Sequence, residues 1–303
     1  MTRARNCMGR VLLSLLAVAP SHAQDELSLH LGNTGVGTCQ VIDCPGAGAP
    51  VVVADCGSIG SNASTPGLDF YRLDDVDESA FASFRDIVGN RNVIVVVSHA
   101  DKDHYNKIDM LLGRNPDLWS RVQGVYLGGD ERTYRTRYRS RRGTLPRFLR
   151  NAAPVFPASR PGNEPIRCGD ASLEILSAQI APGDKNHESL VLQLRYGEFE
   201  AVLPGDAIGR TEGIALAHAR ENRADQRVRN ASLDVEVLVS SHHGAHTKNS
   251  NSAQWAHGLN PKAVIHPSGV GAARRFGHPS AVAFDRYAPI VLRNSTTRSR
   301  RFH

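Results

Sequence analysis

Val93-Ile94-Val95-Val96-Val97-Ser98-His99-Ala100-Asp101-Lys102-Asp103-His104 is the stretch on which the reading of this chain turns. Five apolar residues in a row predict a buried β-strand. Two histidines and two aspartates follow within six positions. A strand end with a tight loop behind it can aim several such side chains at one point. Imidazole and carboxylate are the ligands that a divalent ion of zinc or manganese type prefers. The competing reading is a solvated acidic turn with two surface histidines, and four candidate ligands so close behind a β-run weigh against it.

Working outward, other short stretches carry the same flavour. Leu31-Gly32-Asn33-Thr34-Gly35-Val36-Gly37 precedes Val52-Val53-Ala54-Asp55-Cys56-Gly57. The glycines at 32, 35 and 37 mimic a dinucleotide loop, but the spacing is wrong and no helical pattern follows. Further on come Asn186-His187-Glu188-Ser189-Leu190-Val191-Leu192, Leu203-Pro204-Gly205-Asp206-Ala207, Ser241-His242-His243-Gly244 and Phe276-Gly277-His278-Pro279-Ser280. No Gly-x-Ser-x-Gly elbow appears that would favour a serine nucleophile.

Taken in order, these motifs resemble the metallo-β-lactamase superfamily. His-x-Asp-x-Asp-His is similar to its His-x-His-x-Asp-His signature, with Asp101 in place of the second histidine. That variant resembles the hydrolase domain of the ComEC competence-protein family and its stand-alone relatives, and the likeness runs from about residue 27 to 290. It implies an αββα four-layer sandwich and two divalent metal ions, zinc or manganese. Carried over by position, His99 and Asp101 hold one ion, Asp103 and His104 help to hold the second, and Asp206 bridges them. Asn186 or its neighbour His187 supplies the third ligand of the first ion. His242 matches the final metal ligand, which leaves His243 supporting the ligands, facing substrate or simply structural. This assignment treats the pair as lying on a strand, where adjacent side chains point to opposite faces. Asp103, His243 and His278 form the catalytic set, His278 as a phosphate-binding or proton-donating group. Asp55 resembles the carboxylate that orients a ligand histidine.

The pattern between the motifs agrees with such a sandwich. Residues 77–88 and 104–112 read as helices around the 93–97 strand, and 123–129 as a short strand and turn. Strands are expected over 172–176, 189–196, 200–204, 235–240 and 263–266. Residues 211–222 and 280–286 are expected to be helical. Strands, helices, strands and helices in that order suit two sheets with outer helices.

Arg3, Arg5 and Arg10 precede the apolar run 11–19, and Ser21-His22-Ala23 offers small residues at a cleavage site. This is the pattern of a secretory signal peptide, with a run too short to span a bilayer. The expected organisation is a signal peptide over 1–23 and one hydrolase domain over 24–303, secreted or periplasmic. Removal of 1–23 takes three arginines and no acid, so the formal charge falls from +6 to +3, with 33 Lys and Arg against 30 Asp and Glu. The mature chain retains Cys39, Cys44, Cys56 and Cys168. An even count in an exported chain is compatible with disulfides, in any of three pairings.

Residues 131–150 are rich in arginine. Arg135, Arg137, Arg139 and Arg141 are interleaved with Tyr134 and Tyr138, which share a face if the segment is helical. A solvated cationic helix is one reading. The other is an arm that tracks phosphates and stacks bases. Together these features point to an exported metal-dependent hydrolase, a phosphodiesterase or nuclease that uses a metal-bound hydroxide. The alternatives are a β-lactamase or thioesterase-like enzyme, and a non-catalytic nucleic-acid-binding module of the same fold. N-terminal sequencing of the exported protein should give a start near Gln24. Full-length protein in the cytoplasm would contradict the signal peptide.

Overall fold

Alternate residues along the strands serve different partners, and this alternation builds the layers. The computed structural model describes residues 26–32, 34, 37–58, 84–113, 117–134, 155–157, 164–178, 181, 183–223, 231–268 and 276–299. The expected signal peptide, residues 77–83 and Arg135, Arg137, Arg139 and Arg141 lie outside the described residues.

The first sheet contains β1 (Ser28–Leu31), β2 (Cys39–Asp43), β3 (Val51–Cys56), β4 (Val93–Val97), β5 (Val122–Leu127) and β6 (Val155–Pro157), side by side in that order. The second contains β7 (Ile166–Cys168), β8 (Ala171–Ser177), β9 (Val191–Tyr196), β10 (Phe199–Leu203), β11 (Val237–Val239) and β12 (Ala263–Ile265), also in chain order across the sheet. Each sheet begins with antiparallel pairs and ends with parallel ones. Parallel neighbours need crossovers, and these carry the helices.

Val52, Ala54, Ile94 and Val96 face Leu173, Ile175, Leu192, Leu194, Ala201 and Leu203 between the sheets. The intervening Val51, Val53, Val93, Val95 and Val97 face outward against Tyr105, Ile108, Leu112, Leu118 and Trp119. On the far side, Val191, Val202 and Leu238 pack on Ala215, Leu216, Trp255, Leu259 and Tyr287. The result is the four-layer αββα sandwich expected from the sequence. β4 is buried along its whole length, so both of its faces need apolar side chains. Each Val or Ile so buried contributes roughly 1.5–3 kcal/mol.

The helices are α1 (Lys102–Tyr105), α2 (Ile108–Gly113), α3 (Asp117–Ser120), α4 (Gly209–Glu221), α5 (Ala253–Leu259) and α6 (Ala281–Ser299), with further helical stretches at 84–88 and 131–134. The single helix expected over 104–112 is two. Asn106 breaks it, because its side chain pairs with Ser58 in both directions: Oδ1 accepts from Ser58 N at 2.9 Å and Nδ2 donates to Ser58 O at 2.7 Å. The last helix runs well past 286, with Pro289 inside it. Tyr134 is a clear correction. It is fully buried, donates to Gly128 O at 2.9 Å and packs edge-on against Tyr105, so it is unable to stack on a base.

Two disulfides choose one of the three possible pairings. Cys39–Cys56 joins β2 to β3 and closes a separation of 17 residues. Cys44–Cys168 staples the first sheet to the second across 124 residues. In the chain-entropy account, the longer loop contributes about 5 kcal/mol and the shorter about 3. Removing the Cys44–Cys168 pair by double alanine substitution should therefore lower the urea midpoint more than removing Cys39–Cys56. Equal shifts would show that the cross-sheet staple does not act by constraining the unfolded chain.

Candidate metal centre

The strand β4 ends at Val97, and the chain then turns through Ser98 into the short α1 that carries Asp103 and His104. This helix sits directly on the end of β3. A Cβ at Gly57 would lie 2.3 Å from Asp103 C and 2.5 Å from His104 N, so only glycine allows that approach. Asp206 leaves the end of β10 through Gly205, whose φ is +56° and whose Cβ would meet Ser98 at 2.6 Å. These two close approaches bring β3, β4 and β10 to one point.

Asp55 organises that point. Its Oδ1 accepts from Ser98 N at 2.6 Å, and its Oδ2 accepts from Ser98 Oγ at 2.7 Å and lies 2.8 Å from His104 Nδ1. His99 Nδ1 lies 3.0 Å from Ser98 Oγ, and His243 Nδ1 lies 3.0 Å from Pro267 O. A carbonyl or an ionised carboxylate only accepts, and the Ser98 hydroxyl has already spent its hydrogen on Asp55. Each of the three imidazoles therefore carries a hydrogen on Nδ1, which leaves Nε2 as the nitrogen able to bind an ion.

Those three Nε2 atoms are buried and, among the described residues, make no hydrogen bond; Asp206 Oδ1 is in the same condition. Orphaned buried polar atoms are costly and call for a partner. Here they converge. His99, His104 and Asp206 form one group of donors, and Asp103, His104 and His243 a second, with donor atoms in each group within 4.8 Å of one another. His104 Nε2 is 3.0 Å from Asp206 Oδ1, though without hydrogen-bond geometry, and His243 Nε2 is 3.5 Å from Asp206 Oδ1 and 3.4 Å from Asp103 Oδ2. Four donors set tetrahedrally at zinc distances stand about 3.3 Å apart. The residues present thus fit a divalent ion held by Asp103, His104, Asp206 and His243.

The charges are mutually supporting. Burial alone would lower the His104 pKa, but Asp206 and Asp55 outweigh it and hold it well above the ordinary value. His243 is likewise raised, with Asp206 and Asp103 overcoming burial. Burial would raise Asp206, yet His104, His243 and His242 hold it well below the usual carboxylate range.

The expected ligands are not all brought into one donor group. His243, not His242, joins Asp103 and His104, while His242 belongs to neither donor group. The pair does not lie on β11 but in the turn after it, and both residues have positive φ, +49° and +55°. Strand alternation therefore does not apply. His242 Nε2 lies 3.5 Å from Asp206 Oδ2, and the Asn186 amide nitrogen faces its Nδ1 at 3.4 Å. His187 lies in neither group, and its Nδ1 meets Thr211 Oγ1 at 2.9 Å. Asp101 is ion-paired with Lys185 and outside both groups; burial would raise its pKa, but His99 and Lys185 lower it. His278 stands at the edge, its ring 5.9 Å from that of His242 and stacked on Phe276.

Sequence reasoning missed Ser98, Lys185 and the brace behind the histidine turn. In that brace Asn251 Nδ2 donates to Ser241 O and Ala245 O, and Glu212 accepts from Asn251 N and Ser252 N. Ser98, flanked by the strand and His99, was the one signal available. Its bonds to Glu212 span 39 and 40 positions and leave no local mark.

No known family profile matches the sequence, and no curated protein matches it. Solved structures with similar chain traces do exist. A mutant of the β-hydroxylase CmlA matches with a TM-score of 0.49 and 12% identity over 92% of this chain, which spans about half (52%) of that one. The metallo-β-lactamase fold protein YhfI from Bacillus subtilis matches at 0.46 and 13%, over 84% of this chain and 86% of that one. A diphosphatase from the PhnP family matches at 0.40 and 15%, over 76% and 72%. At such scores the architecture rests on the strand order and core packing given above.

Asp55→Asn keeps a residue type that tolerates the positive φ at this position, +57°, while weakening the acceptor on His104. Zinc affinity should fall about 10- to 100-fold with the fold intact. Isothermal titration with circular dichroism checks this. Unchanged affinity would show that Asp55 does not orient the site.

Proposed function

We propose that this chain is an exported metal-dependent hydrolase of the metallo-β-lactamase superfamily, of the ComEC-like type, and that it cleaves phosphodiesters. The observation that carries the metal-dependent reading is the convergence of three buried Nε2 atoms on the Asp206 and Asp103 carboxylates. Gathering these polar groups in the interior costs stability, and a bound divalent ion would offset that cost. A non-catalytic module would have no use for that cost.

Asp103, His104, Asp206 and His243 would hold a divalent ion, which would supply water activation and offset negative charge on the attacked group. The chain supplies the rest. Asp55, Ser98 and Pro267 O keep the imidazoles in the tautomer that presents Nε2. His278, at the edge of the site, is placed to hydrogen-bond a phosphate oxygen or pass a proton to the departing oxygen. In the reaction a water oxygen forms the new bond to phosphorus, the ester P–O bond breaks, and the leaving oxygen takes up a proton.

The phosphodiester assignment rests on the Asp101 motif variant and the arginine-rich sequence at 131–150, whose guanidinium forks suit phosphate oxygens. Export rests on the N-terminal sequence pattern. Two disulfides suit an oxidising compartment, and among the described residues no helix is long and apolar enough to cross a membrane.

The purified protein should hydrolyse a chromogenic phosphodiester and single-stranded DNA, and lose activity to chelators. Asp206→Ala should abolish turnover and metal uptake together while the protein stays folded. Cleavage of the polymer, but not of the small diester, should weaken as salt rises, because polymer binding releases counterions. Hydrolysis of β-lactams or thioesters with no action on phosphodiesters would overturn the substrate class. Wild-type rates and metal content in Asp206→Ala would overturn the site.

A further inference from the structure

The donor set described above lies on one side of Asp206. On its other side, where Oδ2 points toward His99 at 3.8 Å and His242 at 3.5 Å, the chain has placed a cation of its own. Lys185 Nζ is ion-paired with Asp101 Oδ1, and the second oxygen of Asp101 lies 3.5 Å from His99 Nε2. We propose that the Lys185 ammonium, held by Asp101 beside His99, takes the place of a first divalent ion, so that the centre binds a single ion between Asp103, His104, Asp206 and His243. This rests on the metal-dependent reading given above.

Three observations carry it. Asp101 stands at the N-cap of α1 but makes no side-chain capping bond, and Lys185 engages its carboxylate instead. Lys185 is also fixed in place. It lies in a turn where His187 N and Glu188 N donate to Asp184 O, and Asp184 is itself paired with Lys248 at 2.8 Å. Finally, besides His99, whose Nε2 faces the Asp101 and Asp206 carboxylates, the candidate ligands on this side are engaged otherwise. With its amide nitrogen facing His242 Nδ1, Asn186 makes that nitrogen an acceptor and leaves the hydrogen on Nε2, directed at Asp206. His187 is engaged by Thr211. On the opposite side His104 and His243 lie 3.0–3.5 Å from carboxylate oxygens of Asp206 and Asp103.

Lys185 and Asp101 are each about one-quarter exposed, 24% and 25%. The ammonium therefore reaches the mouth of the site, where it meets a non-bridging oxygen of an anionic substrate. A second divalent ion on the same carboxylate would be repelled by it.

The test is metal stoichiometry. Wild type, Lys185→Ala and Lys185→Arg are saturated with zinc and gel-filtered into metal-free buffer. Zinc per chain is then measured by elemental mass spectrometry, with circular dichroism as the check on folding. Wild type and Lys185→Arg should hold one zinc, and Lys185→Ala two. Two zinc ions in wild type overturn the proposal, whatever the variants do. One zinc in a folded Lys185→Ala also overturns it, because something other than the ammonium then limits the site. No zinc in any protein overturns the metal-dependent reading itself, and this proposal with it.

Discussion

One carboxylate holds the ends of three structural elements together. Asp55 sits at the last turn of β3 with a left-handed backbone and accepts from the amide and the hydroxyl of Ser98 at the end of β4. Its second oxygen also meets His104 on α1. Through Ser98 it reaches His99 as well. A buried carboxylate needs this many partners to be tolerated, and meeting that need fixes two imidazoles in one tautomer. The Cys39–Cys56 disulfide lies immediately beside it and ties β3 to β2. The need to satisfy one buried charge and the need to aim two ligands are met by the same bonds.

Much of the fold was legible because buried strands announce themselves. The 93–97 run, the paired short strands of the second half and the alternation of core faces follow from the apolar pattern. The His99–His104 cluster was legible for a related reason. Four ligand-type side chains behind a buried strand have few other uses. What failed did so where local pattern and local geometry part company. His242 and His243 were read as strand neighbours, and a left-handed turn puts both rings near Asp206 instead. Asn186 and His187 sit in a turn whose side chains are claimed by His242 and Thr211, partners far away in sequence. Tyr134 had helical spacing with Tyr138, but spacing does not say which face is buried. The disulfide pairing was equally hidden, since Cys44 and Cys168 meet only after the two sheets have stacked.

The site also shows how charge is balanced when carboxylates are crowded. Asp55, Asp101, Asp103 and Asp206 lie near one another, and each has a cationic or hydrogen-bonding partner: Ser98 with His104, Lys185, His243, and the surrounding imidazoles. In the metal-free protein the raised pKa values of His104 and His243 let protons supply part of that balance. A bound ion must displace those protons, so occupancy and pH are linked.

The most direct measurement is anomalous diffraction at the zinc edge from crystals of the zinc-loaded mature protein. The account predicts a peak at about 2.0–2.2 Å from His104 Nε2, His243 Nε2 and carboxylate oxygens of Asp103 and Asp206. A loaded protein with no peak among those four residues, or with zinc bound at His187 or His242 instead, would contradict it.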